Sequence, residues 1–241
     1  MNEAWTANPF ALDDNEPRAP NIRPKDAAAL VLYRRERGII RVLMGERHRR
    51  HAFLPGRFVF PGGRLEAGDM RLALPTELRP EVQAKVLSGT PPARARGLAL
   101  AAIRETFEET GHLLGQRAVE TPRTRSPAWR RFLNHNVMPR LEALDFIARA
   151  ITPPGRPRRF DARFFMAAAD EIAITLDASE MSGELLRPSW LTLRQARAAD
   201  VLPITRCIID EIEARLGDGA DPARPVPFFI PHRGKALILQ L

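Results

Sequence analysis

Residues 104–111 read Arg-Glu-Thr-Phe-Glu-Glu-Thr-Gly, a stretch in which three glutamates crowd into little more than one helical turn. Glu108 and Glu109 follow Glu105 by three and four residues, so all three carboxylates share one face of an α-helix. Like charges at this spacing destabilise a helix unless a cation neutralises them. Carboxylate oxygens and water are the ligands that Mg²⁺ prefers, so the stretch indicates a helix that binds a divalent cation.

The same acidic helix could instead be a solvated surface, with Arg104 paired to Glu108 one turn further on. An isolated acidic triplet favours that alternative, but residues 58–69 upstream read FVFPGGRLEAGD. A short apolar strand there runs into a sharp Pro-Gly-Gly turn at residues 61–63. Backbone flexibility is therefore concentrated just ahead of the acidic helix.

Hydrophobic periodicity on either side of these segments predicts a chain of mixed α and β structure. Strands are predicted at residues 27–33, 39–44, 58–60, 146–151, 163–168, 189–193 and 236–239. Helices are predicted at residues 80–87, 98–114 and 204–216, and residues 127–144 are typical of a helix or a helix-turn-helix. Gly111 is the predicted C-cap of the acidic helix, and Trp129 is assigned to a buried stripe.

The composition favours an anionic partner. A formal net charge of +8 over 241 residues is consistent with nucleic acid, an anionic membrane surface or a phosphorylated small molecule. Only 7% of the residues are aromatic and only one is tyrosine, so the stacking platform of a single-strand nucleic-acid binder is thinly supplied. A phosphorylated small molecule is therefore the expected partner, and no nucleic acid is expected.

The single cysteine, Cys207, excludes an intrachain disulfide and a zinc site built from several cysteines, which is typical of the reducing cytoplasm. Residues 1–20 do not resemble a secretory signal, and no apolar stretch is long enough to span a bilayer, so no membrane partner is expected. The length favours one large domain at residues 25–241, preceded by a flexible arm at residues 1–24. A monomer and a homodimer both stay open.

The glycine turn and the acidic helix together resemble the Nudix box. That box is a glycine, five residues, an acid, a spacer, then Arg-Glu, two residues, Glu-Glu, one residue and a glycine. In this sequence its positions are filled, in order, by Gly63, Asp69, Arg104, Glu105, Glu108, Glu109 and Gly111. The sequence also departs from the family in three ways: Asp69 replaces the usual glutamate, Thr106 and His112 replace apolar residues, and residues 70–103 fill a spacer that is normally short.

The resemblance implies an α/β fold, the Nudix α/β/α sandwich, in which a mixed sheet lies between layers of helices. It also implies that residues 70–97 form a helical insertion within the box. Such an insertion leaves the chemistry intact only if the glycine turn and the acidic helix still meet in space.

A division of labour among the box residues is also implied by the resemblance. Glu105 and Glu109 are the expected principal ligands of Mg²⁺, with Mn²⁺ as an alternative, and Glu108 is a further ligand or a water-activating group. Arg104 is expected to orient the glutamates by a charge-assisted contact. The predicted catalytic residues are therefore Arg104, Glu105 and Glu108.

Substrate contacts are expected from the glycine turn and from a basic run at residues 47–57. The residues assigned to substrate binding are Arg47, Arg57, Gly62 and Gly63. Glycine lets the backbone approach the metal and the phosphates, and arginine binds phosphate in a planar fork. A solvated basic loop is the alternative for each arginine, as it is for a second basic cluster at residues 156–159.

Nudix enzymes often take their general base from a carboxylate outside the box. Glu180 and Glu184 lie in residues 179–185, a predicted loop before the strand that contains Trp190, and both are candidates. A simple surface acid is the alternative for each of them.

Within the superfamily, the enlarged box resembles the coenzyme A diphosphatases of the mammalian peroxisomal type and their bacterial relatives. Residues 52–63, 151–153, 159–165 and 190–191 carry further similarity. The resemblance implies hydrolysis of the diphosphate linkage of coenzyme A or an acyl-coenzyme A, giving adenosine 3′,5′-bisphosphate and a phosphopantetheine product. Two alternatives are hydrolysis of another nucleoside diphosphate conjugate, such as a dinucleotide or a nucleotide sugar, and a non-catalytic module that senses a nucleotide.

Overall fold

A computed structural model of the chain describes residues 8–10, 20, 22–48, 56–177, 181–221, 223–233 and 235–241. The strands are β1 Lys25–Glu36, β2 Ile39–Arg47, β3 Phe58–Val59, β4 Gly62–Arg64, β5 His112–Leu114, β6 Gln116–Arg117, β7 Val137–Met138, β8 Asp145–Ile151, β9 Phe160–Ala168, β10 Ile172–Thr175, β11 Leu185–Thr192, β12 Pro227–His232 and β13 Lys235–Gln240. The helices are α1 Ala67–Arg71, α2 Pro80–Val86, α3 Pro92–Thr110, α4 Pro127–Leu133, α5 Leu193–Ala198 and α6 Pro203–Leu216. Two short 3₁₀ helices cover Leu141–Ala143 and Ala169–Glu171.

The first two strands form a tight hairpin that starts the main sheet. The turn between β1 and β2 consists of Arg37 and Gly38, whose φ angles are 50° and 79°. Positive φ at both positions is the geometry of the two-residue hairpin turn whose twist matches that of the strands. The flanking runs are rich in valine, isoleucine and leucine, which pack well on a pleated surface.

The main sheet is mixed and runs in the order β11-β2-β1-β9-β8-β12-β13. Strands β1 and β9 are parallel, as are β8 and β12, and the other pairs along this order are antiparallel. Two short strands join the sheet beside this order, with β3 on β2 and β4 on β1. Strand β4 carries the glycine turn, so β1 fixes where that turn lies.

Both faces of the sheet are buried, each beneath its own helices. Leu30 and Leu32 of β1 belong to the cluster that contains the apolar side chains of α3 and α4. Val31, which points to the opposite face, belongs to a second cluster with Ile208 and Ile212 of α6. The alternation along β1 therefore builds three layers, and the predicted α/β/α sandwich with a mixed sheet is confirmed.

The acidic helix starts earlier and ends earlier than predicted. Helix α3 begins at Pro92 because proline is well suited to the first helical position, where its missing N–H is not needed. It ends at Thr110, since Gly111 adopts a φ of 70° and caps it as predicted. The helical prediction for residues 112–114 was wrong, because these residues form β5 and pair with β10.

The prediction for residues 127–144 was correct only for its first part. Helix α4 ends at Leu133, and Asn136 then takes a φ of 56° that directs the chain into the short strand β7. Strand β12 was not predicted at all, because Pro227 and Pro231 interrupt its apolar run and proline usually argues against a central strand.

The segment that separates the two halves of the box contains helices. Residues 70–97 include the end of α1, all of α2 and the first residues of α3. Of the predicted arm at residues 1–24, most lie outside the described residues, but Phe10 is buried in the cluster on the α6 side of the sheet. No helix within the described ranges is long and apolar enough to cross a membrane.

Cys207 should react with thiol reagents only when the protein unfolds. The side chain lies in α6 and is 4% exposed, and its burial, aided by the charge of Asp210, raises the pKa of the thiol to about 12. At pH 8 the native protein therefore holds about 10³-fold less thiolate than an exposed cysteine would. We expect slow labelling by a chromogenic disulfide reagent in buffer and complete labelling in guanidinium chloride. Stoichiometric labelling of the native protein within a minute at pH 8 would contradict this burial.

Candidate active site

The glycine turn lies directly against the acidic helix. The backbone N–H of Gly62 donates a hydrogen bond of 2.9 Å to Oε2 of Glu109. A Cβ atom at Gly63 would lie 2.3 Å from Oε1 of Glu105, and one at Gly62 would lie 2.5 Å from the carbonyl oxygen of Ala28 in β1. A side chain at Gly62 would clash with the β1 backbone, and one at Gly63 would displace the Glu105 carboxylate. The two halves of the box are therefore in contact, although residues 70–103 separate them in the sequence.

Arg104 is the centre of this meeting point. Its side chain is 2% exposed, and all five of its N–H donors face oxygen atoms. Nη1 donates to Oε1 of Glu105 at 2.9 Å and to Oε2 of Glu108 at 2.8 Å. Nε donates to Oδ1 of Asp69 at 2.8 Å, while Nη2 donates to Oδ2 of Asp69 at 3.0 Å and to the Arg64 carbonyl at 2.9 Å. Burial alone would lower the pKa of Arg104, but these carboxylates raise it above its usual value.

Asp69 is the acid that stands where the family usually has glutamate, and it is completely buried. Besides the two bonds from Arg104, its carboxylate accepts the backbone N–H of Glu66 at 2.8 Å and the indole N–H of Trp129 at 2.9 Å. The sequence assigned Trp129 only to packing, and no signal in the sequence indicated this contact. The shorter acid is therefore fully hydrogen-bonded by groups from both sides of the insertion.

The surroundings of Glu105 and Glu109 disfavour the charged form of both carboxyl groups, and the protein compensates for this only in part. Burial raises the pKa of Glu105 to about 7, although Arg104 acts in the opposite direction. Burial also raises the pKa of Glu109 to about 8, although the Gly62 N–H opposes the shift. Within the described chain, Oε1 of Glu109 is buried and has no hydrogen-bond partner. A bound cation would stabilise the charged carboxylates, and such oxygen donors fit a hard divalent cation.

The glutamates do not already form a three-carboxylate cage. Among the described residues, no group of three or more His, Cys, Asp or Glu side chains is arranged to hold a metal ion. Glu105 and Glu108 accept hydrogen bonds from Arg104, whereas Glu109 accepts one from the Gly62 backbone. The assignment of these three residues as ligands therefore stays a prediction.

A cavity of about 470 Å³ opens beside the glycine turn. Its polar lining includes predicted site residues and further arginines, namely Arg47, Gly62, Gly63, Arg104, Glu105, Glu108, Arg156, Arg158 and Glu184. Its apolar lining includes Phe10, Phe60, Ile151, Phe160, Phe164 and Ile204. Arg57 does not line the cavity, and its carbonyl instead accepts the backbone N–H of Arg47 at 2.9 Å.

The loop that carries Glu184 is attached to the acidic helix. The backbone N–H of Ser182 donates to the Glu108 carbonyl at 2.8 Å, and the Glu184 carbonyl accepts the N–H of His48 at 3.0 Å. The charge of Glu184 contributes to the raised pKa values of Glu105 and Glu109. The other candidate base, Glu180, lies outside the described residues, as do Arg49, Arg50 and His51 of the basic run.

Solved Nudix structures resemble the fold. A Nudix hydrolase from Alicyclobacillus acidocaldarius is 26% identical, with a TM-score of 0.58, and the match covers 78% of this chain and 90% of that one. The Nudix domain of Shewanella oneidensis NrtR, solved with ADP-ribose, is 12% identical, with a TM-score of 0.46 and coverage of 81% and 90%. A C. elegans Ap4A hydrolase is 19% identical, with a TM-score of 0.40 and coverage of 80% and 97%. No family sequence model and no curated protein matches the chain.

The likeness to the Alicyclobacillus enzyme extends over most of both chains, and it is the one of these three that bears on function. It agrees with the three-layer fold and with the glycine turn that contacts an Arg-Glu helix. The chain therefore has the Nudix fold, and this likeness supports a Nudix hydrolase.

Proposed function

We propose that the protein hydrolyses the diphosphate linkage of coenzyme A or an acyl-coenzyme A with Mg²⁺ as its cofactor. The Nudix fold implies hydrolysis of a diphosphate linkage in a nucleoside diphosphate derivative, and the coenzyme A substrate is the finer proposal. The observation that carries the chemistry is the buried Oε1 of Glu109, an unpartnered oxygen beside the Gly62 N–H and the Glu105 carboxylate.

Glu105 and Glu109 would hold the cation, with Glu108 as a further ligand. Mg²⁺ bound there would withdraw charge from a phosphoryl oxygen and make a nearby water more acidic. Arg104 keeps Glu105 and Glu108 on one side of the helix, because its Nη1 binds both carboxylates. Gly62 and Gly63 present bare backbone to the cavity, where a phosphate can come close.

Glu184 is the better supported of the two candidate general bases. Its side chain lines the same cavity as Glu105 and Glu108, and the bond from Ser182 to Glu108 ties its loop to the acidic helix. In this proposal the Glu184 carboxylate takes the proton from the attacking water while the leaving phosphate departs. A general base must lie within reach of that water, and a shared cavity satisfies this condition.

The cavity wall supports a substrate that is anionic at more than one place and apolar elsewhere. Arg47 would receive the diphosphate, because it lines the cavity and its charge acts on Glu109. Arg156 and Arg158 would receive a further anionic group, such as the 3′-phosphate of coenzyme A. Phe60 and Phe164 offer an apolar surface for the adenine ring or for an acyl chain.

The alternatives make different demands on these residues. Another nucleoside diphosphate conjugate, such as a dinucleotide or a nucleotide sugar, would need Arg47 but not a second anion site. A non-catalytic nucleotide sensor would be expected to lack part of the box, whereas Arg104, Glu105, Glu108 and Glu109 are all present. We therefore favour catalysis on a coenzyme A species.

A substrate panel tests this proposal directly. Coenzyme A, an acyl-coenzyme A, dephospho-coenzyme A, ADP-ribose, NADH and a diadenosine polyphosphate are incubated with Mg²⁺, and the products are separated by liquid chromatography. We expect the highest kcat/KM for the coenzyme A species and release of adenosine 3′,5′-bisphosphate. A preference for ADP-ribose or a dinucleotide would overturn the coenzyme A assignment. Full turnover by Glu109→Gln would overturn its assignment as a metal ligand.

Replacing Gly63 by alanine should disable the site without unfolding the chain. The new Cβ would lie 2.3 Å from Glu105, so the carboxylate must move away from its place beside Arg104. A displacement on the order of 1 Å costs about 10² in rate, and we expect a loss of that size in kcat/KM. Gly38→Ala is the control for a general loss of stability, because its Cβ meets nothing while its positive φ of 79° adds strain in the β1–β2 turn. Equal losses in both variants would show that lower stability, not displacement of Glu105, is responsible.

Glu184→Gln should lower kcat more than it lowers metal affinity. General base catalysis contributes roughly 10²- to 10⁴-fold, so we expect a fall in kcat within that range and little change in Mn²⁺ binding. The matched control is Glu213→Gln, which changes an exposed acid of α6 that pairs with Arg197. A kcat within twofold of the parent enzyme would remove Glu184 as the base.

A further inference from the structure

Helix α1 is packed tightly between the acidic helix α3 and helix α4. A Cβ at Gly97 of α3 would lie 2.8 Å from Cγ of Met70, and a Cβ at Gly68 of α1 would lie 2.7 Å from Oγ of Ser126. Ser126 is the N-cap of α4 and accepts the backbone N–H of Trp129. These close approaches fix the position of the residue between Gly68 and Met70, which is Asp69.

The carboxylate of Asp69 has four donors from three different parts of the chain. Arg104 supplies two of them and the backbone of Glu66 supplies one, and these belong to the two halves of the box. The fourth donor is the indole N–H of Trp129, which belongs to α4 and lies outside the box. Oδ1 of Asp69 therefore has two partners, Nε of Arg104 and Nε1 of Trp129.

Asp69 also determines where the charge of Arg104 can lie. The Arg104 side chain is fully committed, with Nε and one Nη2 donor on Asp69 and both Nη1 donors on Glu105 and Glu108. A rotation of the Asp69 carboxylate would pull the guanidinium with it and would shift the two glutamates. Because residues 70–103 separate Asp69 from Arg104 in the sequence, no short chain connection resists that rotation.

We propose that Trp129 is a positioning residue of the metal site, which holds Asp69 by its indole N–H and through it sets the orientation of Arg104, Glu105 and Glu108. This inference rests on the proposed metal-dependent function. Trp129 is completely buried and does not line the cavity, so it would touch neither the metal nor the substrate. Its effect passes through the carboxylate that it binds, in the same way that outer partners of ligating side chains tune metal affinity elsewhere.

Trp129 is well placed for this role because its own position is fixed. The side chain is completely buried, and its ring packs on Phe132 with centroids 5.3 Å apart. Phe132 in turn meets Phe107 of the acidic helix edge-on, also at 5.3 Å. The indole can therefore hold the carboxylate at a constant distance, whereas a solvent-exposed donor could not.

The test compares Trp129→Phe with Phe229→Leu. Trp129→Phe keeps an aromatic ring but removes the donor, and Phe229→Leu truncates a fully buried ring of β12 in the cluster on the α6 side of the sheet. Mn²⁺ binding to each purified protein is measured by electron paramagnetic resonance, with thermal unfolding recorded alongside. We expect Trp129→Phe to weaken Mn²⁺ binding by roughly tenfold, and Phe229→Leu to leave it within about twofold while lowering the Tm.

A double-mutant cycle separates action through Asp69 from any other effect of Trp129. In an Asp69→Ala background, Trp129→Phe should cause no further loss of Mn²⁺ affinity, because the acceptor on which it acts is already gone. The same tenfold loss in both backgrounds would overturn the proposal. Equal loss in Phe229→Leu and Trp129→Phe would also overturn it, since a general loss of stability would then explain the effect.

Failure of the proposed function gives a different result. If the parent protein binds Mn²⁺ but hydrolyses no coenzyme A species, the substrate assignment fails while the metal-binding comparison still decides the role of Trp129. If the parent protein binds no Mn²⁺, the metal site is wrong and the positioning role falls with it. If the parent binds Mn²⁺ and Trp129→Phe binds it equally well, only the role of Trp129 is overturned.

Discussion

The structure of the site depends on one buried cation, the guanidinium of Arg104. Three carboxylates that would repel one another surround it, and each of its donors has an oxygen to bind. Removing one partner of a buried ion pair costs about 3–5 kcal/mol, because the other charge is left without compensation. Arg104 therefore neutralises part of the negative charge, and its hydrogen bonds also fix the orientation of the carboxylates of Asp69, Glu105 and Glu108.

The sheet supplies the frame in which that cluster can act. Strand β1 pairs with β4, which carries Gly62 and Gly63, and its side chains Leu30 and Leu32 pack in the cluster formed with α3. One strand thus positions both the glycine turn and the acidic helix. The cavity begins where these two parts meet, and its wall continues along aromatic side chains on the α6 side of the sheet, such as Phe60 and Phe164.

The sequence was informative where the determining interactions are short in range. The spacing of Glu105, Glu108 and Glu109 and the capping glycine at Gly111 follow from the period of a single helix, so they could be predicted. The role of Trp129 could not, since its partner Asp69 lies on another helix and only the tertiary fold brings them together. Arg57 was grouped with Arg47 by proximity in sequence, yet only Arg47 lines the cavity.

The insertion leaves the box at Asp69 and returns to it at Arg104, and these two side chains meet at 2.8 Å. The inserted segment is therefore a long loop in the chain whose two ends are held together by an ion pair. The entropic free-energy cost of closing such a loop grows only with the logarithm of its length, by about 0.6 kcal/mol for each doubling. The number of residues between Asp69 and Arg104 can accordingly vary at small entropic cost, provided that the core contacts of Val82 and Val86 in α2 are kept.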